Sequence, residues 1–204
     1  MNHWLRTRAV LLAGCAVFGG ATLAGCGSSP PTRFYVLNQI APQATPAAAA
    51  AAANDHLPVS LGSVDIAPEL DRPQLITHVG ANAVHVAESD HWAAPLDAQI
   101  RRTLLQDLAA RLPPGGIVEA GQSPTGAASH SLSITLNDFY GDQSCAVTLH
   151  ATWSLGGAKG PPRFGQEQVQ IPGSAPPCTA ELPAAMSRAL AQLSDRLAAV
   201  ILGG

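Results

Sequence analysis

Charge is scarce in this 204-residue chain: Asp, Glu, Lys and Arg make up 12% of it, with a formal net charge of -3. So low a fraction argues against a highly charged disordered chain and against a coiled coil rich in Glu and Lys. Without a basic excess the chain is also not a general nucleic-acid binder, which neutralises phosphates with Lys and Arg. Lysine is reduced to Lys159 alone, and aromatics are 4%. The motifs that carry catalysis are missing as well. There is no phosphate-cradling P-loop and no G-x-G-x-x-G. Gly121-Gln122-Ser123-Pro124-Thr125 lacks the second glycine of a nucleophile elbow. No C-x-x-C occurs, and His150 is the one histidine near either Cys145 or Cys178, which argues against zinc.

Isolated polar residues fare little better. His85, Glu88, Asp90 and His91 form an oxygen and nitrogen cluster, but the spacing predicts a strand end and a solvated turn. His78, His130 and His150 fall singly on expected strands and read as cross-strand fillers. Glu69 and Asp71 flank Leu70 and face opposite ways if extended, a poor arrangement for paired acid–base work. Trp92, just ahead of a helix, reads as a packing anchor. No catalytic residue, no metal and no cofactor is expected, so the chain reads as a non-enzyme.

What is present starts at the N-terminus. Arg6 and Arg8 precede a mildly apolar run, Ala9 to Gly25, that ends in Leu23-Ala24-Gly25-Cys26. A basic start, a short apolar stretch and small residues before a cleavage point make a secretory signal peptide, expected over residues 1–25. A transmembrane span is the weaker reading, because the run is short of roughly 20 strongly apolar residues and is diluted by glycine. The tetrad resembles a bacterial lipobox, which would make Cys26 the lipidated first residue of the mature chain. Leu12-Ala13-Gly14-Cys15 repeats the pattern but leaves too short an apolar run before it. Gly27 follows Cys26 where a retention signal would place Asp, so the expected address is the periplasmic face of the outer membrane. Covalent lipid on Cys26 would be the only non-protein group.

Removing residues 1–25 leaves nine basic against fourteen acidic residues and two cysteines beside Cys26. In an oxidising compartment Cys145 and Cys178 are read most simply as a disulfide, the alternative being two unpaired thiols. Residues 26–32 form a lipidated tether to a single domain over 33–204, interrupted by a low-complexity loop at 42–56 with seven alanines in a row. Strands are expected at Arg33–Leu37, Val59–Ile66, Gln74–Val79, Ala83–Ala87, Ser131–Phe139, Cys145–Leu155 and Phe164–Ile171. Leu96, Ile100, Leu104, Leu108 and Leu112 repeat every four residues as one helix, stopped by Pro113-Pro114. The pairs Asp97/Arg101 and Asp107/Arg111 are expected on its wet side. A second helix runs from about Thr179 to Leu202. The fold class is α+β, with two amphipathic helices on one face of a mostly antiparallel sheet.

Leu70-Asp71-Arg72-Pro73-Gln74-Leu75-Ile76-Thr77, then His91-Trp92-Ala93-Ala94-Pro95-Leu96, and Phe34-Tyr35-Val36-Leu37 near the mature start, together resemble a known family. They are similar to the PqiC/YmbA family of ABC-type transport auxiliary lipoproteins, over nearly the whole mature chain. The family pattern would carry Arg at His78 and His91 and Glu at Ala94. The resemblance implies family-motif positions Tyr35, Leu70, Asp71, Arg72, Pro73, Gln74, Trp92 and Leu96. It also implies a membrane-anchored periplasmic subunit of a mammalian-cell-entry (MCE) type lipid transport system, Pqi-like or ABC-driven, supporting envelope integrity. An MCE-domain protein is the implied partner, and a homo-oligomer the implied state. A lipoprotein assembly factor or pilotin for another envelope complex is the alternative, and a periplasmic hydrolase a more distant one.

Overall fold

The computed structural model describes residues 30–42, 58–121, 130–157, 160–173, 178 and 180–203. Cys26, the expected signal peptide and the expected tether up to residue 29, residues 43–57 of the alanine-rich stretch, and Ser123 lie outside the described residues. Thr32–Gly204 forms one unit. Its eight strands are β1 (Arg33–Tyr35), β2 (Val59–Ile66), β3 (Gln74–Gly80), β4 (Ala83–Trp92), β5 (Ile117–Glu119), β6 (His130–Asp142), β7 (Val147–Gly157) and β8 (Arg163–Ile171). The helices are α1 (Leu96–Ala109) and α2 (Leu182–Leu202).

Strand β6 is the spine of the sheet. One edge carries the antiparallel meander to β7 and β8, which supplies the longest ladders. The other edge is shared by β2 and, further along, by β3, both parallel to β6. Strand β3 turns into β4 antiparallel, and β1 closes that end parallel to β4. The mostly antiparallel α+β architecture therefore holds. The parallel pairings, and the short β5 beside β2, carry no local sequence signal because each joins distant segments.

Period-two alternation sorts the two sheet faces. Leu132, Ile134 and Leu136 of β6 and Val147, Leu149, Ala151 and Trp153 of β7 are buried beneath the helices. Their alternates, such as Ser133, Thr148, His150, Thr152, Gln166 and Gln168, form an open polar face. The Trp153 ring lies against Gly165, where any Cβ would collide with it, which accounts for a glycine inside β8. Gly141 makes the same kind of room for Leu182 at the start of α2.

On α1 the expected leucine stripe is buried, but so are Gln99, Thr103 and Asp107. The reason is an extended segment, residues 37–40, laid across the helix pair and held by side chains rather than by a strand. Leu37 N–H donates to Gln99 Oε1 at 2.9 Å, Asn38 N–H to Ser187 Oγ at 3.2 Å, and Ile40 N–H to Asp107 Oδ1 at 3.0 Å. Arg102 and Arg111 return hydrogen bonds to the Leu37 and Ile40 carbonyls. This strap corrects the wet-side reading of the helix pairs. Asp107 and Arg111 are buried, with Arg111 also bound to Asp195 at 2.6 Å. Arg101 leaves Asp97 and donates to the Leu61 and Gly62 carbonyls.

Cys145 and Cys178 form a disulfide. Cys145 sits at φ 64, a left-handed conformation a side chain rarely adopts. Asp142 makes that turn possible: its Oδ1 accepts from Ser144 N–H, Ser144 Oγ–H and Ala146 N–H. Cys178 in turn offers its carbonyl to Leu182 N–H at 2.8 Å, so the bridge ties the β6–β7 turn to the start of α2. A bridge across 33 residues constrains the unfolded chain. Reducing it, or the double change to serine, should cost about 3–4 kcal/mol in the chain-entropy view. Urea unfolding with and without reductant checks this, and superimposable curves would contradict it.

Candidate functional site

Three distant segments meet where β1 and β4 end and β3 begins. Gln74 pairs with His91, and Trp92 N–H donates to the Pro73 carbonyl at 2.7 Å. Tyr35 lies beside Trp92, and its carbonyl accepts from Ala93 N–H at 2.9 Å. Pro68–Leu70 forms a single 3₁₀ turn that drops Leu70 into the core and delivers Asp71, Arg72 and Pro73 to the surface. Pro95 opens α1 and sends Leu96 inward. Buried Gln99 staples this corner, accepting from Leu37 N–H and donating to the Ala94 carbonyl at 2.9 Å.

The corner holds a groove of about 280 Å³ lined by Asp71, Arg72, Pro73, Trp92, Ala94 and Pro95. Its floor is apolar, formed by the Trp92 ring and two prolines. Trp92 is buried among the core side chains, so it is a packing anchor that also floors the groove. At the rim stand one acid and one base. Neither the Asp71 carboxylate nor the Arg72 guanidinium pairs with another side chain among the described residues. Ala94 adds no charge to the lining.

Two residues before Trp92 on β4, Asp90 anchors a charged cluster that sequence reasoning missed. Asp90 is 5% exposed and binds Arg33 through two hydrogen bonds, 2.6 and 2.9 Å, and Tyr35 Oη–H at 3.1 Å. Burial pushes the Tyr35 phenol up, and the bond and charge of Asp90 push it further. Asp90 likewise raises Arg33. The solvated turn expected for His85 to His91 is instead the second half of β4, and Asp90 is part of its packed face. Alternation around Asp90 was misleading because β4 bulges against β3 between Gln74 and Ile76. The other members do not converge with it on one site. His91 Nε2–H donates to the Glu88 backbone carbonyl at 3.1 Å, and His78, outside that cluster, stacks on Tyr140 at 3.8 Å.

Of the family-motif positions, Tyr35, Leu70, Gln74, Trp92 and Leu96 build the corner, and Asp71, Arg72 and Pro73 present it. A second cavity, about 450 Å³, lies on the open sheet face where Asn137 bulges out of β6. His150 Nδ1 and Asp138 Oδ2 meet there at 2.7 Å, beside Thr152, Gln166 and Gln168. Among the described residues no group of His, Cys, Asp and Glu could hold a metal ion. No described helix is long and apolar enough to cross a membrane. The groove offers shape, an apolar floor and a charged rim, which suit recognition of another chain.

A family model described as the ABC-type transport auxiliary lipoprotein component matches residues 35–198. Intermembrane transport lipoprotein PqiC of Escherichia coli (strain K12) is 39% identical over 70 residues, 34% of this chain and 36% of that protein. The protein of the same name in Shigella flexneri matches to the same extent. The match thus spans about a third of the length of these relatives. Among solved structures, an uncharacterized protein superposes at a TM-score of 0.68 with 21% identity, covering 84% of this chain and 99% of that one. Protein XCC0632 from Xanthomonas campestris superposes at 0.64 with 18% identity, covering 84% and 97%. These two share the fold.

Proposed function

The chain belongs to the family of ABC-type transport auxiliary lipoprotein components, and from that premise we propose a specific role in the envelope. It is an outer-membrane-anchored, periplasmic subunit of an MCE-type system that moves lipid between the inner and outer membranes. Lipid on Cys26 holds it to the bilayer, and the mature chain assembles as a homo-oligomer. It docks an MCE-domain protein of the same system and does no chemistry itself. The observation that supports this reading is the corner groove: the segments read from the sequence as resembling the family converge there, and among the described residues Asp71 and Arg72 on its rim have no side-chain partner.

The physical logic runs from tether to groove. About six residues separate Cys26 from β1, a reach of at most roughly 20–25 Å. The domain is therefore held close under its membrane, where the end of a partner crossing the periplasm arrives. A docked partner would lie on the Trp92, Pro73 and Pro95 floor, with Asp71 and Arg72 setting register by charge. Several copies side by side would collar that partner without a lipid pocket in any one of them.

Co-purification from native membranes tests the reading. The wild-type lipoprotein should bring down an MCE-domain protein, and Asp71→Lys with Arg72→Glu should cut recovery at least tenfold. Both positions are exposed, so the thermal midpoint should not move by more than about a degree or two. Recovery of a secretion or pilus component in place of an MCE-domain protein would favour the assembly-factor reading. Recovery unchanged by the charge reversals would remove the groove from it.

A further inference from the structure

The outer face of β1 carries an apolar surface that the groove does not use. Along β1 and the two residues that follow it, Tyr35 and Leu37 turn inward, while Phe34 is 66% exposed and Val36 44% exposed. The Phe34 ring meets the His91 ring edge-on at 6.0 Å and otherwise faces outward. Its neighbour Arg33 is neutralised by the two-bond pairing with Asp90, so the strand offers an apolar contact with little net charge.

Position in the chain says what covers it. Phe34 follows Cys26 by eight residues, which at about 3.3–3.6 Å each allows a reach of at most roughly 30 Å. An anchor on Cys26 thus confines the strand to within that reach of the headgroup layer, at a high effective concentration. Aromatic side chains favour that layer, and one lipid group plus a second weak contact holds a protein far better than either alone. We propose that Phe34, with Val36 beside it, seats in the headgroup layer of the bilayer that carries the anchor, fixing the domain's orientation. This rests on the Cys26 anchor proposed above and adds to it which edge of the sheet faces the membrane.

A second strongly exposed aromatic among the described residues provides the comparison. Phe164, 72% exposed, lies on β8 at the far edge of the sheet, five strands from β1. At about 4.8 Å per strand that is roughly 24 Å across the sheet, before any offset along it. The experiment uses the lipidated mature protein in vesicles of phosphatidylethanolamine and phosphatidylglycerol, doped with phosphatidylcholine brominated near the glycerol. Phe34→Trp and Phe164→Trp are each read as the fluorescence difference from wild type. Phe34→Trp should shift to the blue and lose about half of its added emission to the brominated lipid, with Phe164→Trp little quenched. Water-like emission from residue 34, or quenching no greater than at residue 164, overturns the proposal while the anchor stands. A blue shift without quenching also overturns it, assigning the surface to contact between proteins. Protein that fails to float with the vesicles overturns the anchor, and this proposal with it.

Discussion

Arg111→Ala is expected to destabilise the domain by about 3–5 kcal/mol, the cost of stranding a buried charge without its partner. The guanidinium donates to Asp107 Oδ1 at 3.4 Å, to the Asp107 carbonyl at 2.9 Å, to Asp195 at 2.6 Å and to the Ile40 carbonyl at 3.2 Å. One side chain thus joins α1, α2 and the strap. Asp195 is half exposed and contributes little by itself. Asp107 is wholly buried, and its Oδ2 has no hydrogen-bond partner among the described residues.

The acid dependence of that loss is a second readout of the same variant. Burial pushes the Asp107 carboxyl above its ordinary value, against the pull of the Ile40 N–H and of Arg111. The folded chain therefore holds this proton to higher pH than the unfolded chain does. Its contribution to stability is present below the unfolded value of about 3.9 and is lost as pH rises to the folded one. Without Arg111 the folded value climbs further, so the deficit of Arg111→Ala should shrink on acidification. Urea unfolding of both proteins across the acid range measures it. A deficit under about 1 kcal/mol at neutral pH would mean that water replaces the guanidinium. Asp142 works the other way. Burial raises its carboxyl, but hydrogen bonds from Ser144 and Ala146 outweigh that and lower it. Its stabilisation is thus present above the unfolded value and lost on acidification.

These two carboxylates show where the sequence is legible and where it is not. The four-residue leucine repeat of α1 announces the helix and one buried stripe, because that signal is local. That Asp107 lies under a strap depends on residues 67 positions away, for which no local pattern exists. Val59–Ile66 and the β6–β8 meander are readable by alternation to within about three residues at each strand end. The parallel junctions of β6 with β2 and β3 were not, because neither has a turn to betray it. At the groove, a motif resemblance picked out Leu70 to Gln74 and Trp92 to Leu96. Their meeting around Tyr35 needed the β1–β4 pairing. Asp90 was read as solvated because a bulge hides its face.

Cys26→Ser should abolish lipid attachment altogether, leaving unprocessed precursor or mislocalised protein. Two or more acyl chains anchor stably, whereas one binds only marginally. Nothing in the described domain substitutes for them: Phe34 and Val36 add a weak contact, and the mature chain is mildly acidic. Cys15→Ser should leave attachment intact, since the earlier tetrad has too short an apolar run before it. Metabolic labelling with a fatty acid, followed by membrane fractionation, measures both. Label retained by Cys26→Ser, or lost in Cys15→Ser, would contradict the assignment.

The central claim is that the corner groove is where this lipoprotein receives its transport partner. In-cell photocrosslinking tests it most directly, with the reactive residue placed at position 72 on the groove rim or at position 166 on the open sheet face. The account predicts an adduct from position 72 that contains an MCE-domain protein, and none containing it from position 166. Adducts with that protein from position 166 alone, or only self-adducts from position 72, would contradict it.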